Sequence, residues 1–136
     1  MSDVIVSVKP QFVELIRNGK KTHEFRKYIP KLGVSNLWIY ATMPTGKMQY
    51  LASVDSVTEY PNQIPENGFG NSDFNAGLKK SNYAYHILHL FELTKPITLA
   101  ELKANFGFFP PQSYSYLQSN KMLMEYLKTA KLQQLF

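Results

Sequence analysis

Five strand-like segments, each rich in β-branched and aromatic residues and bounded by turn residues, constrain the fold of this chain more than any other feature. They lie at residues 4–8, 22–28, 37–42, 48–59 and 83–93. Runs of this composition between proline, glycine and asparagine are typical of β-strands. Because 136 residues then leave few for the crossover connections that parallel strands need, most neighbouring strands must run antiparallel. The sequence therefore predicts an α+β fold, with a mostly antiparallel, barrel-like sheet of about five strands flanked by short helices.

Helix signals fill the gaps between these strands. Pro10 suits the first turn of a helix, where its missing N–H would have no partner, and the Asn-Gly pair at 18–19 provides a left-handed stop. Thr98 and Glu101 form a capping-box pattern that opens a second helix. A last helix, with an apolar stripe, is predicted from about residue 120 to residue 135. All three are short and are expected to pack on the sheet by one face.

Composition limits the class of protein. The 15 basic and 10 acidic residues give a net charge of +5, which favours anionic partners such as nucleic acid. There is no cysteine, which excludes a disulfide framework, a thiolate metal site and a cysteine nucleophile. The N-terminal residues show no basic stretch followed by a long apolar run, so we expect neither a signal peptide nor a membrane span. We therefore expect one cytoplasmic domain covering residues 1–136.

The segment G-K-K-T-H-E-F-R-K at residues 19–27 is unusually polar for a strand. Because strand side chains alternate, Thr22, Glu24 and Arg26 share one face, while the face that carries Phe25 is expected to meet the core. A polar strand face is typical either of a solvated surface ladder or of the wall of a polar pocket. Composition alone leaves both interpretations open.

The spacing of this segment favours the pocket. Gly19, Lys21, Glu24 and Arg26 spell G-x-K-x-x-E-x-R directly after a predicted strand and helix. This pattern resembles the ASCH domain family, whose members have a PUA-like β-barrel, and the later segment P-P-Q-S-Y-S-Y-L at 110–117 is also similar to some members. The resemblance implies a cleft beside the barrel that takes RNA or a nucleotide-like ligand, with the motif on its wall.

The chemistry of the motif residues agrees with such a cleft. Lys21 and Arg26 suit phosphate or a base edge, and Glu24 suits an exocyclic amine or the orientation of the arginine. The predicted helix N-terminus after the first strand favours an anion. Gln112 and Ser113 follow two prolines that hold them rigidly, and they are expected to form a second wall of the cleft. The expected ligand-binding residues are Lys9, Lys21, Thr22, Glu24, Arg26, Gln112 and Ser113.

Catalysis is an alternative that the sequence leaves open. One branch of the family resembles small amidohydrolases that remove an acyl group from a modified cytidine, using a lysine, a threonine and a distant glutamate. Lys21 matches the lysine, but Glu24 stands where that branch has the threonine, and Glu59 and Glu66 fall in the region of the distant acid. If the protein is a hydrolase acting on an acylated nucleoside or on RNA, Lys21 and Glu24 are its expected catalytic residues. A protein-interaction domain that regulates expression is the third alternative.

Two other residue sets are interpreted as structural. His86 and His89 are three apart in a predicted strand, which places them on opposite faces, so we expect no metal site and no cofactor. Aromatic residues at strand positions more often pack in the core than stack on bases. The aromatic residues considered are Trp38, Tyr40, Tyr83 and Tyr85.

Overall fold

Seven strands form one curled, barrel-like sheet in the computed structural model, which describes residues 2–136. The strands are β1 (Asp3–Val8), β2 (His23–Arg26), β3 (Asn36–Ala41), β4 (Lys47–Glu59), β5 (Tyr83–Thr98), β6 (Ser115–Tyr116) and β7 (Leu132–Gln134). The helices are α1 (Pro10–Arg17), α2 (Asn71–Asn75), α3 (Leu99–Phe106) and α4 (Lys121–Thr129). The α+β class is therefore confirmed, with two strands more than the sequence predicts. No helix within the described residues is long and apolar enough to cross a membrane.

The sheet is mostly antiparallel, as predicted. Its strands lie in the order β2-β5-β4-β3-β1-β6, and β7 pairs with the C-terminal half of β5. Only β1 and β3 pair in parallel within the described chain, from Asp3 opposite Asn36 to Val8 opposite Ala41. Helix α1, which follows β1, is part of the crossover that this parallel pair requires.

The two additional strands come from segments that the sequence interprets differently. The last helix ends at Thr129, and residues 132–134 pair with β5 instead of extending the helix to residue 135. Ala130 has extended backbone dihedrals, which take the chain out of the helix, and the Leu135 side chain packs against the main core. β6 is a two-residue strand in the aromatic segment and pairs with β1. Apolar spacing alone does not separate a last helical turn from a short strand.

Two hydrophobic clusters cover the two faces of β1, which explains why its apolar run is continuous. Val4 and Val6 face the main core inside the curled sheet, with Leu37, whereas Ile5 faces a second cluster. Helices α3 and α4 close that second cluster through Leu102 and Leu123. The predicted capping box at the start of α3 and the left-handed stop after α1 are both present.

The apolar face of β2 packs against a hydrophobic cluster, as the sequence predicts, but that cluster is separate from the main core. Phe25 does not reach the main core but stacks on Phe74, at a ring-centroid distance of 5.6 Å, in a small cluster under the loop at residues 60–81. Glu24 instead pairs in register with Tyr85, which belongs to the main core. Side chains alternate along His23–Arg26 as predicted, but a sequence does not show which face a long loop folds back to cover.

Candidate functional site

A cleft of about 600 Å³ opens where the end of β1, the start of α1, strand β2 and the loop before β5 meet. We call it the Lys21 cleft. Five of its lining residues are cationic and two are acidic. Its polar and aromatic walls include Ser7, Lys9, Phe12, Lys21, Glu24, Arg26, Phe69, Asp73, Lys79 and Lys80. The arrangement favours an anionic ligand with a flat, stackable part.

Lys21 is the buried cation of the cleft. Its backbone N–H donates to the Leu15 carbonyl (2.9 Å) after the helix stop, which turns the chain and brings the side chain inward. The residue is only 5% exposed, and its Nζ lies 4.3 Å from the centre of the Phe25 ring and 5.7 Å from that of Phe12. Burial lowers the pKa of Lys21 to about 8, although the nearby Glu24 carboxylate raises it and Lys79 lowers it further.

Glu24 lies between two cations and is itself buried. One carboxylate oxygen, Oε1, is 3.9 Å from Nζ of Lys21, and the other, Oε2, accepts a hydrogen bond of 3.1 Å from Nη1 of Arg26. Its side chain is 8% exposed. A carboxylate removed from water in this way is stable only with such partners. The three charges of the motif therefore form one connected unit, and the surface-ladder interpretation does not describe it.

Arg26 joins three parts of the chain. Besides Glu24, its Nη1 donates to the Ser7 carbonyl (3.4 Å) at the end of β1, and its Nη2 donates to the Ser113 carbonyl. The Ser7 hydroxyl in turn donates to the Pro111 carbonyl (2.8 Å). A planar guanidinium with several fixed donors is suited to this task, which a lysine could not perform. Arg26 thus fixes the aromatic segment against the sheet as well as lining the cleft.

Thr22 lies outside the Lys21 cleft, because β2 begins only at His23 and the alternation does not extend back to residue 22. Its hydroxyl oxygen accepts from Nδ2 of Asn71 (3.1 Å) and lies 2.8 Å from Nδ1 of His23. Thr22 and His23 line a separate pocket of about 270 Å³ with His86. Burial, and then the neighbouring His86 and Lys21, lower the pKa of His23 to about 4.

The structure brings some of the other predicted residues to the cleft and not others. Lys9 lines the cleft as an exposed side chain. Gln112 and Ser113 line an adjoining cavity, and Ser113 reaches Arg26 through its backbone. Glu59 and Glu66 are exposed and neither lines the cleft, so the carboxylate next to Lys21 is Glu24.

Sequence reasoning missed the cleft wall that comes from the long loop. Phe69 packs on Phe12 at 5.9 Å between ring centroids, and its backbone N–H donates to the Lys20 carbonyl (2.8 Å). Lys79 and Lys80 add two cations on the same side. The adjacent lysines in a loop were the available signal, but nothing in the sequence placed that loop beside β2.

The three histidines and the four aromatic residues considered above lie outside the Lys21 cleft. Within residues 2–136 no group of three or more potential metal ligands is present. His23 and His86 face each other at a ring-centroid distance of 5.0 Å, a pairing that the sequence did not reveal. Trp38, Tyr40 and Tyr85 are buried in the two cores, as expected for aromatic residues at strand positions.

A curled α+β sheet with a basic cleft at the start of its first helix agrees with the PUA-like barrel that the family resemblance implies. The ASCH domain family model matches residues 6–122, and this chain belongs to the ASCH domain family. A protein of Zymomonas mobilis subsp. mobilis described as an ASCH domain-containing ribonuclease is 28% identical over 128 residues, covering 88% of this chain and 86% of that protein.

Solved structures of ASCH from Zymomonas mobilis share the fold. A serine-to-alanine variant of that protein superposes with a TM-score of 0.74 at 25% identity, covering 96% of this chain and 97% of its own. The structure described simply as ASCH from the same organism gives a TM-score of 0.69 at 24% identity, with 96% of each chain covered. The predicted family and the PUA-like fold are therefore confirmed.

Proposed function

We propose that this chain, acting as one domain over residues 1–136, binds single-stranded RNA in the Lys21 cleft and cleaves it. Three observations support the proposal. The cleft carries an excess of cations beside exposed Phe69, which suits a phosphate backbone and a stacked base. A relative over most of the chain is described as a ribonuclease. Lys21 is a buried cation with a lowered pKa, which suits reaction at a phosphate.

The environment of Lys21 is the observation that carries the proposal. A lysine with a pKa of about 8 is still mostly charged at neutral pH, but it releases its proton far more readily than an exposed lysine. Because the Lys21 side chain is only 5% exposed, few water molecules compete with a phosphate oxygen for its protons. Such a group both stabilises charge on a phosphoryl oxygen and acts as a general acid.

The geometry supports a cleavage in which Glu24 and Lys21 act as a base and an acid. The 2′-hydroxyl oxygen attacks the neighbouring phosphorus while its proton passes to the Glu24 carboxylate. The bond from phosphorus to the 5′ oxygen breaks, and the Lys21 ammonium gives that oxygen a proton. The products are a 2′,3′-cyclic phosphate and a 5′-hydroxyl end. Proton transfer between Glu24 and Lys21, whose nearest charged atoms are 3.9 Å apart, restores both groups.

The other cleft residues have binding roles in this proposal. Lys9, Lys79 and Lys80 lie on the walls and neutralise phosphates on either side of the reacting one. Phe69, which is 47% exposed, offers a stacking face. Arg26 mainly holds Glu24 and the aromatic segment in place. Gln112 and Ser113 line the adjoining cavity. In this proposal they contact the RNA beyond Arg26.

A second candidate function is RNA binding without cleavage. Arg26 pairs with one oxygen of Glu24 and Lys21 approaches the other, so both oxygens already face a cation of the protein. In this case the three charges of the motif only fix the ligand. Binding would remain strongly dependent on salt, with each lost cation contact reducing the slope of log K against log salt by about 0.7 for a single strand.

Incubation with two labelled oligonucleotides of the same sequence, one RNA and one DNA, tests the proposal. We expect the RNA to be cut to fragments ending in a 2′,3′-cyclic phosphate and the DNA to remain intact, because only RNA supplies the 2′-hydroxyl. Salt-dependent RNA binding with no product supports the second candidate. Cleavage of both strands, or no binding of either, contradicts the proposed function.

A further inference from the structure

A second cavity, of about 390 Å³, adjoins the Lys21 cleft on the far side of Arg26. The two cavities share Phe25, Arg26 and Ser81 as lining residues. They therefore lie side by side as two parts of one groove, with the Arg26 guanidinium on the wall between them. We call the second part the Tyr28 pocket.

The Tyr28 pocket has the residue types that bind a nucleotide. Its cations are Arg26 and Lys27, and none of its described lining residues is acidic. Tyr28 is 61% exposed and Tyr114 is partly exposed, so two aromatic side chains are available for stacking. Gln112 adds an exposed amide that both donates and accepts, as a base edge requires.

The walls of the Tyr28 pocket are fixed before any ligand binds. The buried Tyr85 hydroxyl donates to the Tyr28 carbonyl and holds the chain at that residue. On the opposite wall, Tyr114 packs edge-on against Tyr116 at 5.5 Å between ring centroids, and Arg26 holds the Ser113 carbonyl. A preformed pocket avoids the entropy cost of ordering its walls on binding.

We propose that the groove holds at least two consecutive nucleotides of one strand, with a phosphate at Lys21 and the neighbouring nucleotide in the Tyr28 pocket. This inference rests on the proposed function. Each part of the groove, at about 600 and 390 Å³, is of the size that encloses one small ligand, and the two parts share Arg26 as a wall. The preferred ligand is therefore a linear oligonucleotide, and a single nucleotide fills only part of the site.

Calorimetric titration with ligands that cannot be cleaved tests this inference. The ligands are 2′-O-methyluridine 3′-phosphate and the corresponding 2′-O-methylated dinucleotide with a 3′-phosphate, at one fixed salt concentration. We expect the dinucleotide to bind at least about tenfold more tightly. Tyr28→Ala should remove most of that difference by weakening the dinucleotide far more than the mononucleotide, and the fold should persist because the Tyr28 side chain is exposed and only its backbone supports the fold.

Tyr126→Ala is the matched control, since this exposed tyrosine lies on α4 away from the groove. Its affinities should equal those of the unmodified protein. Equal affinity for the two ligands, or an equal loss of both in Tyr28→Ala, overturns the two-nucleotide groove while leaving RNA binding at Lys21 in place. If neither ligand binds, the proposed function fails and the groove assignment fails with it.

Discussion

The Lys21 ammonium lies 3.9 Å from the Glu24 carboxylate, and both side chains are more than nine-tenths buried. A pair this poorly hydrated is costly to form, because each charge loses water that the attraction between them only partly replaces. The lowered pKa of Lys21 shows that desolvation outweighs the attraction to Glu24. The protein therefore keeps a destabilising charge at the base of an open cleft, an arrangement typical of functional sites.

Removal of that charge should stabilise the fold. Lys21→Met keeps the stem of the side chain against Phe25 and leaves Glu24 paired with Arg26. Since the pKa of Lys21 falls from 10.5 to about 8, we expect the free energy of unfolding at pH 7 to rise by up to roughly 3 kcal/mol. Lys20→Met, at the exposed neighbouring lysine, should change it by less than about 0.5 kcal/mol. Urea unfolding measures both, and a clear loss of stability in Lys21→Met would contradict this account of the pair.

The rate of RNA cleavage should fall as the pH rises through about 8. The proposed acid is the protonated Lys21, whose pKa is about 8, so kcat/KM should drop about tenfold per pH unit above that value. Unfolding does not explain the loss, because an unfolded lysine binds a proton that the folded one has released, and stability therefore rises from pH 8 to 10.5. Lys21→Arg, which stays charged, should show no such fall. A rate that increases through pH 8 would make Lys21 a base instead.

Loss of Arg26 should destabilise the protein far more than loss of a surface arginine. Arg26→Met leaves the buried Glu24 without its closest partner and frees the carbonyls of Ser7 and Ser113. We expect a cost of about 3–5 kcal/mol. Arg17→Met, which breaks an ion pair of 3.7 Å between partly exposed side chains, should cost about 0–1 kcal/mol. Thermal unfolding of the two variants compares them directly, and equal effects would mean that Arg26 does not join the three segments.

Mild acid should destabilise the protein through His23. Its pKa in the folded state is about 4 against an ordinary value of 6.5, so the unfolded chain binds more protons between these values and stability falls as the pH drops from 6.5 to 4. Because solvent screens part of this effect, the contribution is no more than about 3 kcal/mol. In His23→Gln the pH dependence of unfolding over this window should flatten. The exposed His89 serves as a control, and an unchanged slope in His23→Gln would show that other groups cause the acid sensitivity.

Much of the fold and half of the site follow from local sequence patterns. The strands, the stop at Gly19 and the capping box at Thr98 depend on neighbouring residues, and all are present. Lys21, Glu24 and Arg26 share one site because they lie within six residues on one strand and its entrance. Such features need no knowledge of distant chain segments.

The missing half of the site depends on contacts between distant segments. Phe69 and Lys79 reach the cleft only because the loop folds back over β2, and Thr22 lies in a separate pocket, where its hydroxyl oxygen accepts from Asn71 of that loop. The depth at which Lys21 is buried arises in the same way, from Phe12 on one side and Phe25 on the other. Tertiary packing of this kind leaves no periodic signal in the sequence.

Single-turnover cleavage of a labelled single-stranded RNA by three proteins tests the role of Lys21 most directly. The proteins are the unmodified chain, Lys21→Met and Lys20→Met, each first shown to be folded. We predict cleavage by the unmodified protein and by Lys20→Met at similar rates, and a loss of about 100-fold or more in Lys21→Met. Equal rates for Lys21→Met and the unmodified protein, or no cleavage by any of the three, would contradict the assignment of Lys21 as the group that acts on the RNA phosphate.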